Sequence, residues 1–174
     1  MAIIKANNQT LSGITSLPTG LGGKILQIVQ GNSSTQFLQS SPVTDTVYFP
    51  STNKLSASIT PSSTSSKILV EFIATLYCGD SDNDGGVAFG LKESISGGST
   101  TTIVPGNSYA SGLYFSSNVA SNFRVRLSDN IYRTPSTTSQ ITYEVGVMAY
   151  ASSVEIRLMD TNSRGEIILT EIAG

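Results

Sequence analysis

The clearest chemical signal in the sequence is an acidic run, Asp80-Ser81-Asp82-Asn83-Asp84-Gly85. Its alternating carboxylates match the opening of a calcium loop, in which oxygen ligands converge on a hard cation and glycine permits a sharp turn. An EF-hand is excluded, because its twelfth position falls on Leu91 where a bidentate Glu is required and both flanks have strand patterns. Asp80, Asp82 and Asp84 remain candidate Ca²⁺ ligands of a different kind of loop. The alternative is a solvated acidic hairpin tip.

The inventory of other reactive side chains is short. The 174 residues include no His, no Trp and one Cys, which excludes Ser-His-Asp and Cys-His catalysis, His-based zinc sites and Cys clusters. Cys78 falls on the apolar face of a strand and is expected to be a buried hydrophobe. Paired carboxylates for glycoside hydrolysis are the only familiar catalytic arrangement left, and we expect no enzymatic activity and no cofactor besides the candidate Ca²⁺. The carboxylates considered, none of them paired by spacing, are those of the acidic run with Glu71, Glu93, Glu144 and Glu155, of which Glu144 and Glu155 are expected on solvated strand faces.

Charge and hydropathy exclude two classes of partner. The net charge is −2 and the Lys and Arg residues are scattered singly, so no basic stripe can neutralise a row of phosphates. No window reaches the roughly 18 apolar residues of a membrane span, and residues 1–13 lack the apolar run of a signal peptide. We therefore predict neither a nucleic-acid partner nor a membrane.

The elements that must position any site are strands. The longest run, from Lys67 to Gly79, has apolar residues at all its even positions from 68 to 78, which predicts a central strand with one core face. Its odd positions mix Leu69, Ile73 and Tyr77 with Glu71 and Thr75. This mixed face predicts a subunit contact, and we take Leu69, Ile73 and Tyr77 as candidate residues of an oligomer interface.

Other short β-type runs follow one another without any helical stripe between them. Their number predicts an all-β protein, an antiparallel β-sandwich of the jelly-roll kind, with an immunoglobulin-like sandwich as the alternative. Two runs alternate cleanly: Phe123, Val125 and Leu127 against two Arg, and Val154, Ile156 and Leu158 against Glu155, Arg157 and Met159. The remaining predicted runs are 24–30, 44–49, 54–60, 86–93, 99–104, 109–115, 141–150 and 166–172.

A Thr-Pro-Ser turn occurs twice. Residues 60–65 (TPSSTS) precede the longest strand, and residues 134–139 (TPSTTS) precede the second longest. Proline presets a turn dihedral and the hydroxyls can bond nearby backbone, so both segments are suited to tight corners. Two matched corners are what two Greek keys of one jelly roll would need, and chance recurrence in a Ser/Thr-rich chain is the alternative.

The first 23 residues have neither a strand nor a helix period. They carry isolated apolar residues among Asn, Ser, Thr and Gly and end in a glycine cluster. We predict an extended N-terminal arm at 1–23 and a β-sandwich domain at 24–174, with a loose terminus as the alternative to a docking arm. The arm residues expected to dock on another surface are Ile3, Ile4, Leu11, Ile14 and Leu17.

Several segments resemble a domain of virion proteins from tailed bacteriophages, many of them from marine and cyanobacterial hosts. The resemblance is carried by LSASITPSSTSSKILV (55–70), TPSTTSQITYEV (134–145), GGKILQIVQ (22–30) and ILTEIAG (168–174). It covers roughly residues 22–174 as a set of segment likenesses and includes no catalytic signature. The acidic run at 80–85 is not part of it.

The resemblance implies a non-enzymatic structural protein, a homotrimer assembled into the virion in the host bacterial cytoplasm, with major capsid or tail proteins as partners. The first expectation is a head decoration or cement protein whose arm lies on the capsid. The alternative is a short tail fibre, whose loops at 79–86 and 97–106 would touch a receptor or glycan. A free-standing carbohydrate-binding module is the alternative from another class.

Overall fold

Alternating apolar residues account for the longest strands of the computed structural model. Between Lys67 and Cys78 every even-numbered side chain is buried, while Lys67 and Glu71 are exposed. The structure describes residues 24–79, 85–104, 112–115, 123–150, 155–160 and 162–174. The strands are β1 (Ile25–Ser33), β2 (Phe37–Gln39), β3 (Val47–Tyr48), β4 (Ser56–Ile59), β5 (Lys67–Cys78), β6 (Gly85–Ile95), β7 (Thr100–Val104), β8 (Gly112–Phe115), β9 (Phe123–Arg133), β10 (Ile141–Ala149), β11 (Ile156–Leu158) and β12 (Gly165–Ile172).

The strands form two six-stranded antiparallel sheets. Sheet A has the order β1-β12-β5-β11-β2, with β9 on the other edge of β5, and sheet B has the order β3-β10-β6-β7, with β4 on β10 and β8 on β6. The short strands share positions: β11 and β12 lie along one edge of β5, and β1 and β2 lie outside them. In the same way β3 and β4 share one edge of β10, and β7 and β8 share one edge of β6.

Eight strand positions therefore remain, four in each sheet. Numbered along the chain, they run 1-8-3-6 across sheet A and 2-7-4-5 across sheet B. Long connections cross between the sheets, and the first and last positions lie side by side, which is the arrangement of a jelly roll built from two Greek keys. The prediction of an all-β antiparallel sandwich of the jelly-roll kind is confirmed.

The core lies between the two sheets. It is formed by the inward side chains of both central pairs, and the rings of Phe72 on β5 and Phe89 on β6 meet edge to face with centroids 5.1 Å apart. The burial of these apolar side chains is the main favourable contribution to the free energy of folding. Cys78 is fully buried, and burial raises the pKa of its thiol, as expected for a structural cysteine.

Three local features differ from the sequence predictions. β2 falls outside every predicted run, although Phe37 packs against the core. β9 continues to Arg133 instead of ending at 127, and its side chains keep alternating. Met159 was placed on a solvated face, but its positive φ of 55° breaks the alternation after β11 and turns the side chain into the core.

Both Thr-Pro-Ser turns lead into central strands, the first into β5 of sheet A and the second into β10 of sheet B. The first is held by Glu171, which is almost fully buried at the end of β12 and accepts hydrogen bonds from the Ser62 amide and hydroxyl, both at 2.7 Å, and from Gln27 at 2.6 Å. Burial raises the pKa of this carboxyl, but the hydrogen bonds from Gln27 and Ser62 outweigh burial, and the pKa falls to about 2.

Candidate interaction face of sheet A

Two groups of predicted site residues lie outside the described residues. They are the candidate Ca²⁺ ligands Asp80, Asp82 and Asp84, and the docking-arm residues Ile3, Ile4, Leu11, Ile14 and Leu17. Within the described part of the chain, no group of three His, Cys, Asp or Glu residues could hold a metal ion. The same part contains no helix long and apolar enough to cross a membrane.

The predicted interface residues lie on the outer face of sheet A, which consists of the odd-numbered side chains of β5 and their cross-strand neighbours. Leu69 and Ile73 are half-buried, while Tyr77 is only 5% exposed. Leu69 stands between Thr170 of β12 and Tyr132 of β9, because residues directly opposite in antiparallel strands share a face.

The most exposed large apolar side chains of this face come from its edges. Tyr132 on β9 is 62% exposed, and Ile28 and Ile25 on β1 are 61% and 56% exposed. Ile28 is opposite Thr170, and Ile25 is opposite Ile172. Apolar side chains therefore occur on this face from one edge of sheet A to the other, with Thr170 and Lys67 between them, and exposed apolar side chains that lie near one another are typical of an interaction surface.

Two depressions lie on this face. The larger is a groove of about 980 Å³. The smaller is a pocket of about 270 Å³ around Ile73, where carboxylates and Asn130 surround an aliphatic floor. The groove is lined by Ile25, Lys67, Leu69, Glu71, Tyr132, Thr134, Thr170, Ile172 and Ala173.

The opposite end of the same face is closed by charged groups. The guanidinium carbons of Arg157 and Arg124 lie 4.2 and 5.1 Å from the centre of the Tyr77 ring, as in cation–π contacts. Both arginines pair with the buried Asp160, and Arg157 also pairs with Glu155. Tyr77 is thus covered by its own sheet, and Leu69 and Ile73 are the predicted interface residues that stay accessible.

The outer face of sheet B, by contrast, is covered by the chain itself. Gly90 of β6 and Gly146 of β10 are directly opposite each other. A Cβ atom added to Gly90 would lie 2.2 Å from a methyl carbon of Val47, and one added to Gly146 would lie 2.8 Å from the Phe49 ring. The two glycines therefore form a floor on which Val47 and Phe49 pack.

Next to this floor, Glu144 is buried and not solvated as the sequence suggested. Its Oε2 accepts from Lys92 Nζ at 2.9 Å and from Lys54 Nζ at 3.1 Å, and its Oε1 has no hydrogen-bond partner. Lys92 Nζ also lies 4.3 Å from the centre of the Phe49 ring. This burial could not be predicted from the sequence, because Lys54 and Phe49, which lie beside Glu144, come from a distant segment of the chain.

Glu93, another carboxylate considered for catalysis, ties the two sheets together. Arg133 of β9 donates to both of its oxygens, at 3.0 and 2.9 Å, and the fully buried Tyr143 donates its hydroxyl at 2.8 Å. Burial raises the pKa of Glu93, but these bonds outweigh it and hold the pKa below its usual range. Burial and the bond to Glu93 raise the pKa of Tyr143, so both groups keep their charge states at neutral pH.

The sequence predicted the central strand of the candidate interaction face but not the edges of that face. Ile25, Ile28, Ile168, Ile172 and Tyr132 join the face only through cross-strand register, which no single segment encodes. The alternation that continues from Phe123 to Arg133 was the one available signal for Tyr132. In chemical terms the face offers apolar area with charged residues among it, Lys67, Glu71 and Glu166, a mixture that is common at surfaces where proteins associate.

Comparisons with known proteins add little to this description. No family model matches the chain, and no curated protein matches it. Among solved structures, the Eiger TNF from S. frugiperda is 13% identical with a TM-score of 0.41, covering 84% of this chain and 92% of that one. The CBM22-1 xylan-binding domain from Paenibacillus barcinonensis Xyn10C is 12% identical with a TM-score of 0.34, covering 88% and 97%.

A structure of the infectious bursal disease virus Gt strain is 10% identical with a TM-score of 0.32, covering 87% of this chain and 43% of that one. These likenesses are too weak to carry an argument about function. The jelly-roll assignment stands on the strand order itself.

Proposed function

We propose that this chain is a non-enzymatic structural protein of a tailed-bacteriophage virion, a homotrimeric head decoration protein that assembles through the outer face of sheet A and docks on the capsid through its N-terminal arm. The observation that carries the proposal is the accessible apolar face around Leu69 and Ile73. The segment resemblance to phage virion proteins supplies the biological setting.

The physical case rests on what each exposed group would gain from association. Ile25, Ile28 and Tyr132 are each more than half exposed in the single chain. Burial of an aliphatic or aromatic side chain contributes roughly 1.5–3 kcal/mol, so a contact that covers this face gains several such contributions.

The test is a charge placed at the centre of the face. Ile73→Asp would bury a carboxylate in the contact and should raise the dissociation constant at least about 100-fold, while the melting temperature of the dissociated subunit stays close to that of the unchanged chain. Light scattering over a dilution series measures the mass. Thr101→Asp, on an exposed position of β7 in sheet B, is the matched control.

If light scattering gives the mass of a monomer for the wild-type chain at all concentrations, the proposed homotrimer is contradicted. The particle assignment needs its own test, in which Ile3→Asp combined with Ile4→Asp should abolish binding to decoration-free capsids while leaving the solution mass unchanged. Binding to capsids that does not depend on these residues would contradict the docking arm.

A short tail fibre that binds a glycan is the second candidate, and one observation favours it. The groove combines an exposed aromatic ring, Tyr132, with hydrogen-bonding groups from Glu71 and Thr134, the combination that sugar sites use. Glycan-array binding that is lost in Tyr132→Ala would support this role over decoration. If the protein binds no glycan on the array, the role of a head decoration protein is favoured.

A further inference from the structure

The groove on sheet A carries one positive and one negative side chain on its central strand. Lys67 and Glu71 both line the groove and are exposed, and Leu69 lies between them on the same face of β5. The two charged residues are four positions apart, about 13 Å along the strand. Among the described residues, no ion pair includes either of them.

The neighbouring strands supply no opposite charge to these two side chains. Lys67 is opposite Ile172 of β12, and Glu71 is opposite Ile168 of β12 and Asn130 of β9. Directly opposite residues are the closest neighbours of a side chain on the face of a sheet. Lys67 and Glu71 therefore have no counter-charge beside them in the described part of the chain.

We propose that Lys67 of one copy forms an ion pair with Glu71 of another copy when chains associate through the outer face of sheet A. This inference rests on the proposed function and deepens it, because it names the contact that fixes how the copies are placed on one another. The apolar side chains of the face contribute affinity, and the ion pair determines orientation.

Desolvation gives the physical reason for this pairing. A contact that covers the groove removes Lys67 and Glu71 from water, and an unpaired charge in such a contact opposes association. A second copy supplies both missing counter-charges, because it carries the same two residues on either side of its own Leu69. Charge complementarity therefore favours a second copy of this chain over an uncharged partner as the molecule that covers the groove.

The pairing fits a closed assembly. A head-to-tail contact repeats the same two surface patches around a ring, so in a ring of three copies each Lys67 has the Glu71 of its neighbour as a partner. In an open chain of copies, by contrast, one Lys67 and one Glu71 would stay unpaired at the two ends. The ion pair is thus compatible with the proposed homotrimer.

Charge reversal in the full chain tests the pairing. Lys67→Glu alone would bring two carboxylates together at each contact and should raise the dissociation constant at least about tenfold. Glu71→Lys alone would bring two ammonium groups together and should have a similar effect. The double variant, which exchanges the two charges, should return the dissociation constant to within about threefold of the wild-type value. Light scattering over a dilution series measures all four chains.

A matched control separates pairing from net charge. Arg126→Glu combined with Glu71→Lys has the same net charge as the exchanged pair, but Arg126 is an exposed residue of β9 that does not line the groove. This combination should associate as weakly as Glu71→Lys alone. Urea unfolding of each dissociated variant should give nearly the wild-type stability, since substitutions at exposed positions usually change the free energy of unfolding little.

The pairing is overturned if the exchanged charges do not restore association, or if the control with Arg126→Glu restores it equally well. Unchanged dissociation constants in both single reversals would overturn it too, because the two charges would then lie outside the contact. In each of these cases a wild-type oligomer leaves the proposed self-association standing. A wild-type chain that is monomeric at every concentration contradicts the self-association itself, and the pairing with it.

Discussion

The outer faces of the two sheets are built on opposite plans. On sheet B, the glycine floor at positions 90 and 146 lets Val47 and Phe49 pack onto the central strands. On sheet A, the equivalent central strands carry Leu69, Ile73 and Ile168, and no described residue packs over the groove beside them. The outer face of sheet B is covered within the chain, whereas the outer face of sheet A leaves apolar side chains accessible in the described part of the chain.

The comparison shows that small and large residues on the outer face of a sheet indicate different kinds of packing. A pair of facing glycines marks a place where the chain itself comes close. Large apolar residues spread over three or four strands mark a face that is completed from elsewhere. The facing glycines and the large apolar residues both occur in strands of similar length and alternation. The two kinds of face can therefore be told apart only from the register, which decides which side chains are neighbours.

The largest expected effect is a loss of stability in acid, caused by protonation of Glu171 at the end of β12 in sheet A. The folded-state pKa of Glu171, about 2, lies below its ordinary value of 4.5. Its stabilisation is therefore complete above about pH 5 and is lost as pH falls from 4.5 toward 2, by up to about 3 kcal/mol. Urea unfolding between pH 2 and pH 7 measures the loss. Glu171→Gln should flatten the profile in part, since Glu93, whose pKa is also lowered, acts in the same direction.

The glycine floor gives the next largest effect. Gly146→Ala would place a Cβ atom 2.7 Å from the Tyr48 carbonyl oxygen and 2.8 Å from the Phe49 ring. We expect a loss of about 2 kcal/mol, although Ala normally suits a strand better than Gly. Equilibrium urea unfolding checks the sign: an unchanged or increased stability would mean that the cover on sheet B is not tightly packed.

The same substitution, Lys to Met, can be made on the outer face of each sheet to compare them. Lys92→Met removes one of the two cations that balance the buried Glu144, and we expect a cost of about 1 kcal/mol. Lys67→Met, on the exposed row of sheet A, should change stability by less than about 0.5 kcal/mol. Thermal melts of the two variants side by side give the difference. Equal effects would contradict a covered sheet B.

The smallest effect on the fold is expected on sheet A. Ile28→Ser removes an exposed apolar side chain, so the free energy of unfolding should change by less than about 0.5 kcal/mol. The same substitution should weaken self-association about tenfold, because Ile28 belongs to the accessible face. Light scattering and urea unfolding on one preparation separate the two quantities. A large loss of stability would show that Ile28 already has a packing partner within the subunit.

Much of the fold could be predicted from the sequence because the strand period is local. The core face of β5, from Ile68 to Cys78, and the alternation of β9 follow from side-chain spacing alone. Met159 could not be predicted, because a single left-handed residue reverses the side on which a side chain points. β2 is too short to have a readable period, and only its pairing with β11 defines it.

The candidate site was predictable in part. Leu69 and Ile73 could be placed on the outer face of the central strand, because an apolar residue on the second face of such a strand is visible in sequence; their role in an interface stays a prediction. The cover over Tyr77 was not, because Arg124 and Arg157 reach its ring from two other strands. The burial of Glu144 likewise depends on Lys54 and Phe49, which lie far from it along the chain.

The adjacency of β1 and β12 has a mechanical consequence. Ile25 at the start of β1 is opposite Ile172 at the end of β12, so the domain enters and leaves at the same end of one antiparallel pair. Tension between the two ends would load the ladder bonds one after another, since these bonds lie perpendicular to the strands, and the pair would unzip at low force.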